Sequence, residues 1–334
     1  MFSKPLSIAA VGLAALATVA SGHPGESHAL PRAELHRRQL EANKRHIVAR
    51  NCAPQIAEFN AKRKSTCVTT PEVTEGPYYV NNELLRQDIR EDQEGVDLVL
   101  DIGVMDVTTC QPLDQALVEI WHCNATGHYS GFTGANMSGG GGGNGSVPSG
   151  NSTAPTGSMS LPTGTESSSA MPTGAPGGGG GSTSMTDQLS FLRGGYATDS
   201  AGMVEFSTKY PGFYTGRTVH IHTMIHTNYS VATNGSIVSH AGTVRHIGQL
   251  FFDDTLNEKI VSQGVYANTT ESRTYNDEDS ILDSENADGY NAYASTELLG
   301  ETETDGILAY ITIGVDPTFV TSINSTNYAS GGLE

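Results

Sequence analysis

The residues best suited to chemistry in this 334-residue chain lie between Tyr210 and Ile225. His220 and His222 are two positions apart in a segment, Thr218 to Ile225, rich in β-branched residues. On a pleated strand such residues share a face, with Cα atoms roughly 6.5–7 Å apart, so both imidazoles can reach one metal ion. Tyr214 and Arg217 stand just upstream and add a phenol, which becomes a hard anionic donor on ionisation, and a permanent cation. By itself a His-x-His pair also fits two histidines on a polar face, and the pair alone leaves both readings open.

The elements that must carry these residues are mostly strands. Pro211-Gly212 is a turn signal ahead of the His-x-His strand, on which Val219, Ile221 and Ile225 face away from His220, His222 and Met224. Val96 to Val107 reads as a long apolar strand, Thr108 to Asp114 as a turn, and Ala116 to Cys123 as a second strand. In that second strand Leu117, Glu119 and Trp121 alternate with Val118, Ile120 and His122. Met203 to Thr208, Ile247 to Asp254 (with one amide, Gln249, inside it) and Gly306 to Val315 complete the strand candidates. Short strands with few helical patterns predict a mainly β protein, an antiparallel β-sandwich spanning residues 67–330.

Around this domain the composition changes. Residues 1–22 carry Lys4 and then an apolar run from Ile8 to Ala20 closed by small residues, the pattern of a cleaved signal peptide. No later stretch is long and apolar enough for a membrane span, so a secreted, extracellular protein is expected. Residues 23–66 hold half of the 18 lysines and arginines and have helix-forming composition, as an N-terminal helical segment or a propeptide would. The formal charge of −18 argues against nucleic acid and anionic membranes as partners.

From about 134 to 187 the chain is Gly, Ser, Thr and Pro, with pure glycine runs at Gly139–Gly143 and Gly177–Gly181. Such a segment buries too little apolar surface to fold, and sequons at Asn136, Asn144 and Asn151 suit a disordered, glycosylated insertion. A further sequon at Asn124 predicts exposure at the start of the loop after the second strand. Cysteines at 52, 67, 110 and 123 are even in number and lack a CxxC spacing, which favours disulfides over a metal site in an exported chain. Proximity suggests Cys52–Cys67 and Cys110–Cys123, although four cysteines allow three pairings.

Together the motifs resemble the intradiol ring-cleavage dioxygenases, in particular the secreted fungal branch related to the β chain of protocatechuate 3,4-dioxygenase. The matching segments are Thr74-Glu-Gly-Pro-Tyr-Tyr79, Ala116 to Tyr129, Phe191-Leu-Arg-Gly194, Tyr210 to His222 and Gly248-Gln-Leu-Phe-Phe252. They extend across most of Thr69 to Asp254, the insertion excepted.

The resemblance implies a β-sandwich holding a non-haem Fe(III) through Tyr129, Tyr214, His220 and His222. It further implies that Arg217 and Gln249 act beside the reacting ring and that Gly76 and Pro77 line the substrate pocket. The family's partners are a catechol and O2, and its products are cis,cis-muconates. In its mechanism Tyr214 leaves the metal and takes a substrate proton, Arg217 stabilises negative charge on the ring, and Gln249 fixes the orientation of Arg217. The donor set is chemically consistent: free tyrosine ionises near pH ~10, so coordination must supply the deprotonation.

His226 shares the face of His220 and His222 but lies about 13 Å from His222 at strand rise, beyond the reach of the same metal. It is expected to be structural or exposed, as are His122, His128, His240 and His246. Two alternatives stay open: a non-catalytic glycosylated wall or surface protein, and a secreted copper oxidase. The identity of the catechol and the oligomeric state are also open.

Overall fold

A computed structural model describes residues 71–135, 183–287 and 290–329. The expected signal peptide, the basic segment at 23–66, Cys52, Cys67 and the body of the glycine-rich insertion lie outside the described residues.

The strands are β1 (Asp97–Asp106), β2 (Gln111–Pro112), β3 (Leu117–Trp121), β4 (Arg193–Ala197), β5 (Met203–Lys209), β6 (His220–Thr227), β7 (Thr243–Phe251), β8 (Ser295–Leu298) and β9 (Ile307–Val315). Two α-helices follow β7: α1 (Asp254–Val261) and α2 (Ser280–Glu285). One sheet has the order β2-β1-β9-β8, with β5 also paired to β1; the other has the order β4-β3-β6-β7. The chain is therefore mainly β, as its strand pattern predicts. One pair departs from the antiparallel expectation, since β9 runs parallel to β1. No hairpin joins these two strands: β9 reaches β1 after a long crossover, which leaves its direction free.

The alternation read along β3 and β6 separates two apolar clusters. Val118, Ile120, Val219, Ile221 and Ile225 join Leu98, Leu100, Phe206 and Ile307 in the core between the sheets. Trp121 and Met224, on the opposite faces, join Tyr78, Tyr79, Tyr129, Phe132 and Tyr214 in a second cluster. Both faces of β6 are thus buried, although its sequence looks amphipathic. The polar face of the His-x-His strand is an interior, roofed by the loops that carry the tyrosines.

Three local expectations are corrected. Cys123 is a free, buried cysteine, so the Cys110–Cys123 pairing is not formed; its side chain belongs to the aromatic cluster instead. Asn124 is only half-exposed, and its side-chain oxygen accepts hydrogen bonds from Thr126 N, Thr126 Oγ1 and His128 N. Asparagine prefers this local turn, and it withdraws the start of the loop from solvent. The ends of the 134–187 stretch, finally, are built into the domain. Asp187 accepts from Gly131 N, Thr133 N and Thr133 Oγ1, Thr183 N donates to Pro77 O, and Met185 packs on the aromatic cluster. Composition averaged over the insertion hid these few anchoring residues.

Candidate metal centre

Four rings converge at the roofed face of β6. Ring centroids are 4.9 Å apart for His220 and His222, 5.6 Å for Tyr214 and His220, 5.9 Å for Tyr129 and Tyr214, and 6.1 Å for Tyr129 and His222. All four side chains are almost fully buried. The structure thus gathers in one place the four residues named as ligands from the sequence.

Each is held by its own device. His220 Nδ1 lies 2.6 Å from Thr218 O. A carbonyl can only accept, so Nδ1 carries the proton and the lone pair of Nε2 points to the centre, where it lies 3.2 Å from Tyr129 Oη. His222 is clamped between the Trp121 ring, stacked at 4.9 Å with planes 8° apart, and the backbone of Gly76. Gly76 has φ +73°, and a Cβ there would stand 3.0 Å from His222 Cε1, so this close approach requires glycine. Tyr214 opens a turn closed by Arg217 N donating to Tyr214 O, which folds the guanidinium back beside the phenol. The Tyr129 loop reaches Phe213 through Gly127, where a Cβ would collide with Phe213 O.

The electrostatics suit a cation. Burial, reinforced by the Arg217 charge, holds both imidazoles well below their usual range, so they are neutral donors. Burial drives both phenols above their usual range, and the Arg217 charge works against that rise at both. Neither phenol ionises in this pocket without a metal charge beside it. Neither ring nitrogen of His222 has a hydrogen-bond partner. An orphaned buried polar atom costs on the order of 1–3 kcal/mol, and coordination would relieve it. Among the described residues no group of three or more His, Cys, Asp and Glu is arranged for a metal, so any centre here depends on the two tyrosines. Cys123 adjoins them, but burial pushes its thiol up to about 12, which keeps it protonated and unfit as a thiolate ligand.

Arg217 and Gln249 also meet. Gln249 is the cross-strand partner of His222, and its Oε1 accepts from Arg217 Nη2 at 2.5 Å. The Gln249 amide nitrogen donates to Thr74 O, which ties it to the segment carrying Gly76 and Pro77.

Solved structures share this arrangement of strands. An intradiol ring-cleavage dioxygenase from Tetranychus urticae is 27% identical, with a TM-score of 0.55 over 76% of this chain and 98% of its own. A second dioxygenase of known structure is likewise 27% identical, with a TM-score of 0.54 over the same shares. This chain resembles the intradiol ring-cleavage dioxygenases in fold. No family model matches its sequence, and a search of curated proteins finds no match.

Three residues of the centre escaped the sequence reading. Tyr78 stacks on Tyr129 at 4.7 Å and meets Tyr214 edge-on at 6.1 Å; its place directly after Gly76-Pro77 was an available signal. Arg193 is buried and binds Ser130 Oγ, Ser130 O and Tyr78 O, tying the Tyr129 loop to the Tyr78 segment. Asp279 pairs with Arg217, and nothing in its local sequence distinguishes it from other helix caps. The other described histidines have structural partners or lie in solvent. His122 bonds Thr208 and Cys123 O, His226 pairs with Glu119, His246 pairs with Glu72, His128 bonds Thr126, and His240 is exposed.

Proposed function

We propose that this chain is an extracellular non-haem Fe(III) dioxygenase that cleaves catechols between their two hydroxyls with O2, giving cis,cis-muconates. One observation carries the reading: two phenols and two neutral imidazoles meet in a buried pocket, and neither nitrogen of one imidazole has a partner. Two anionic oxygen donors favour Fe(III) over softer or lower-charge ions, and among the described residues no third histidine, thiolate or thioether joins the set as a copper site would prefer.

Bound Fe(III) would supply Lewis acidity towards the catechol oxygens and draw charge from the ring. The chain's residues do the rest. His220 and His222 stay neutral and hold position, locked by Thr218 O on one side and by Trp121 and Gly76 on the other. Tyr214 accepts a substrate proton at its phenolate oxygen. Arg217 bears a fixed positive charge beside Tyr214 and would stabilise negative charge building on the substrate ring. Gln249 holds the guanidinium through Oε1. Gly76 packs against His222 and Tyr78 stacks on Tyr129, so with Pro77 they would line the substrate pocket beside the ring.

The test is oxygen uptake by the iron-loaded, full-length protein with a panel of catechols, and identification of the product. A muconate with one O2 consumed per catechol supports the reading. Stoichiometric copper in place of iron, or an iron protein that consumes no oxygen with any catechol, overturns it.

A further inference from the structure

Arg217 and Gln249 are held from behind by a single short helix that lies outside every motif of the centre. Asp279 caps α2: its Oδ1 accepts from Ile281 N at 2.9 Å and from Leu282 N at 3.2 Å. Its other oxygen, Oδ2, accepts from Arg217 Nε at 2.9 Å and from Thr218 N at 2.9 Å. One fully buried carboxylate therefore joins the helix start to the turn that carries Arg217. At the far end of α2, Glu285 Oε1 accepts from Gln249 N at 2.6 Å. Gln249 Oε1 closes the ring on Arg217. Six residues of helix span about 9 Å, and Leu282, 1% exposed, seats the helix against Phe251 and Ala292.

We propose that α2 is a strut that sets the position of Arg217 relative to Gln249, and that Asp279 is its positioning residue. The inference rests on the dioxygenase reading above. The physical ground is the geometry of the guanidinium. A lone Arg217–Gln249 bond would leave Arg217 free to swing about one contact. A second, charged bond at Nε from a side chain that cannot move fixes the plane of the fork. Asp279 itself cannot move because its other oxygen is committed to the helix N-terminus, where the backbone N–H groups favour a carboxylate.

The test uses the full-length chain. Asparagine caps helices as well as aspartate does, so D279N can retain the cap while removing the charge from Arg217. Expected are wild-type iron content and visible absorption, a kcat about ten- to hundredfold lower with KM little changed, and no added kcat loss when D279N is combined with Arg217→Met. In the metal-free protein the Arg217 Nε–H resonance should be shielded from exchange and lose that protection in D279N. Glu285→Ala, which spares the cap and the ion pair, tests the other end and should lower kcat with iron retained.

A D279N protein with wild-type kcat and an unprotected wild-type Nε–H would overturn the strut. So would equal losses from D279N in the presence and absence of Arg217, or losses that merely follow iron content. If D279N does not fold, E285A with unchanged kcat overturns it. Wild-type protein inactive on every catechol would sink the dioxygenase reading instead, and the exchange measurement would then decide the strut alone.

Discussion

Trp121 lies face to face on His222, with ring centroids 4.9 Å apart and planes 8° from parallel. They are cross-strand partners in β3 and β6, so the register of the sheet places the indole on the imidazole. Trp121 is the only tryptophan in the chain. Its emission should therefore report the centre directly: iron loading should quench it strongly and a chelator should restore it. Emission indifferent to iron would mean the metal binds elsewhere. Trp121→Leu should lower stability by about 2–4 kcal/mol in denaturant melts and weaken iron retention.

The two tyrosines should behave differently. Tyr129→Phe removes a phenol without a compensating group and should abolish both the visible tyrosinate band and oxygen uptake. Tyr214→Phe should keep part of the colour and lose turnover, because in the proposed mechanism Tyr214 is the phenol that exchanges a proton with the substrate. Equal effects of the two substitutions on band and rate would contradict this division of roles.

Gly76→Ala should be costly although the change is one methyl. The backbone stands at φ +73° and the new Cβ would press on His222 at 3.0 Å. The left-handed conformation alone costs roughly 1–2 kcal/mol for an L-residue. Iron affinity should fall along with melting temperature, and a variant with intact affinity would show that His222 tolerates displacement.

Glu285 predicts a pH dependence of stability. Burial raises its carboxyl from an ordinary 4.5 to about 8, its Oε2 has no hydrogen-bond partner, and it borders a cavity of about 30 Å³ shared with His246 and Thr223. The folded state therefore holds a proton that the unfolded chain releases. This stabilisation is complete below pH 4.5 and is lost as pH rises towards 8. Its size is on the order of a few kcal/mol. Glu285→Gln should flatten the decline between those values in urea melts of the metal-free protein. An unchanged slope would show that Glu285 titrates normally.

The insertion should divide at its anchors. Replacing residues 136–182 with a short Gly/Ser linker should leave the melting temperature and iron content unchanged. Asp187→Ala should lower both, because Asp187 gathers Gly131 and Thr133 just beyond Tyr129. A melting temperature that drops only with the linker variant would reverse the assignment.

What the sequence determined by itself was local and periodic. Alternation along β6 put His220, His222 and Met224 on one face and Val219, Ile221 and Ile225 on the other, because a strand's side-chain period is two whatever surrounds it. The order of Tyr129, Tyr214 and the His-x-His pair also pointed to their joint role before any coordinates. Tertiary structure decided what depends on distance through space. The parallel pairing of β9 with β1, the unpaired state of Cys123 and the burial of both faces of β6 cannot be read from neighbours in the chain. Asp279 is the clearest case: in sequence it is a helix cap 62 residues from Arg217, and only the folded chain sets its second oxygen against the guanidinium. A cap is encoded by a residue and the few after it, whereas a buried ion pair is encoded by the packing of the whole sheet beneath it.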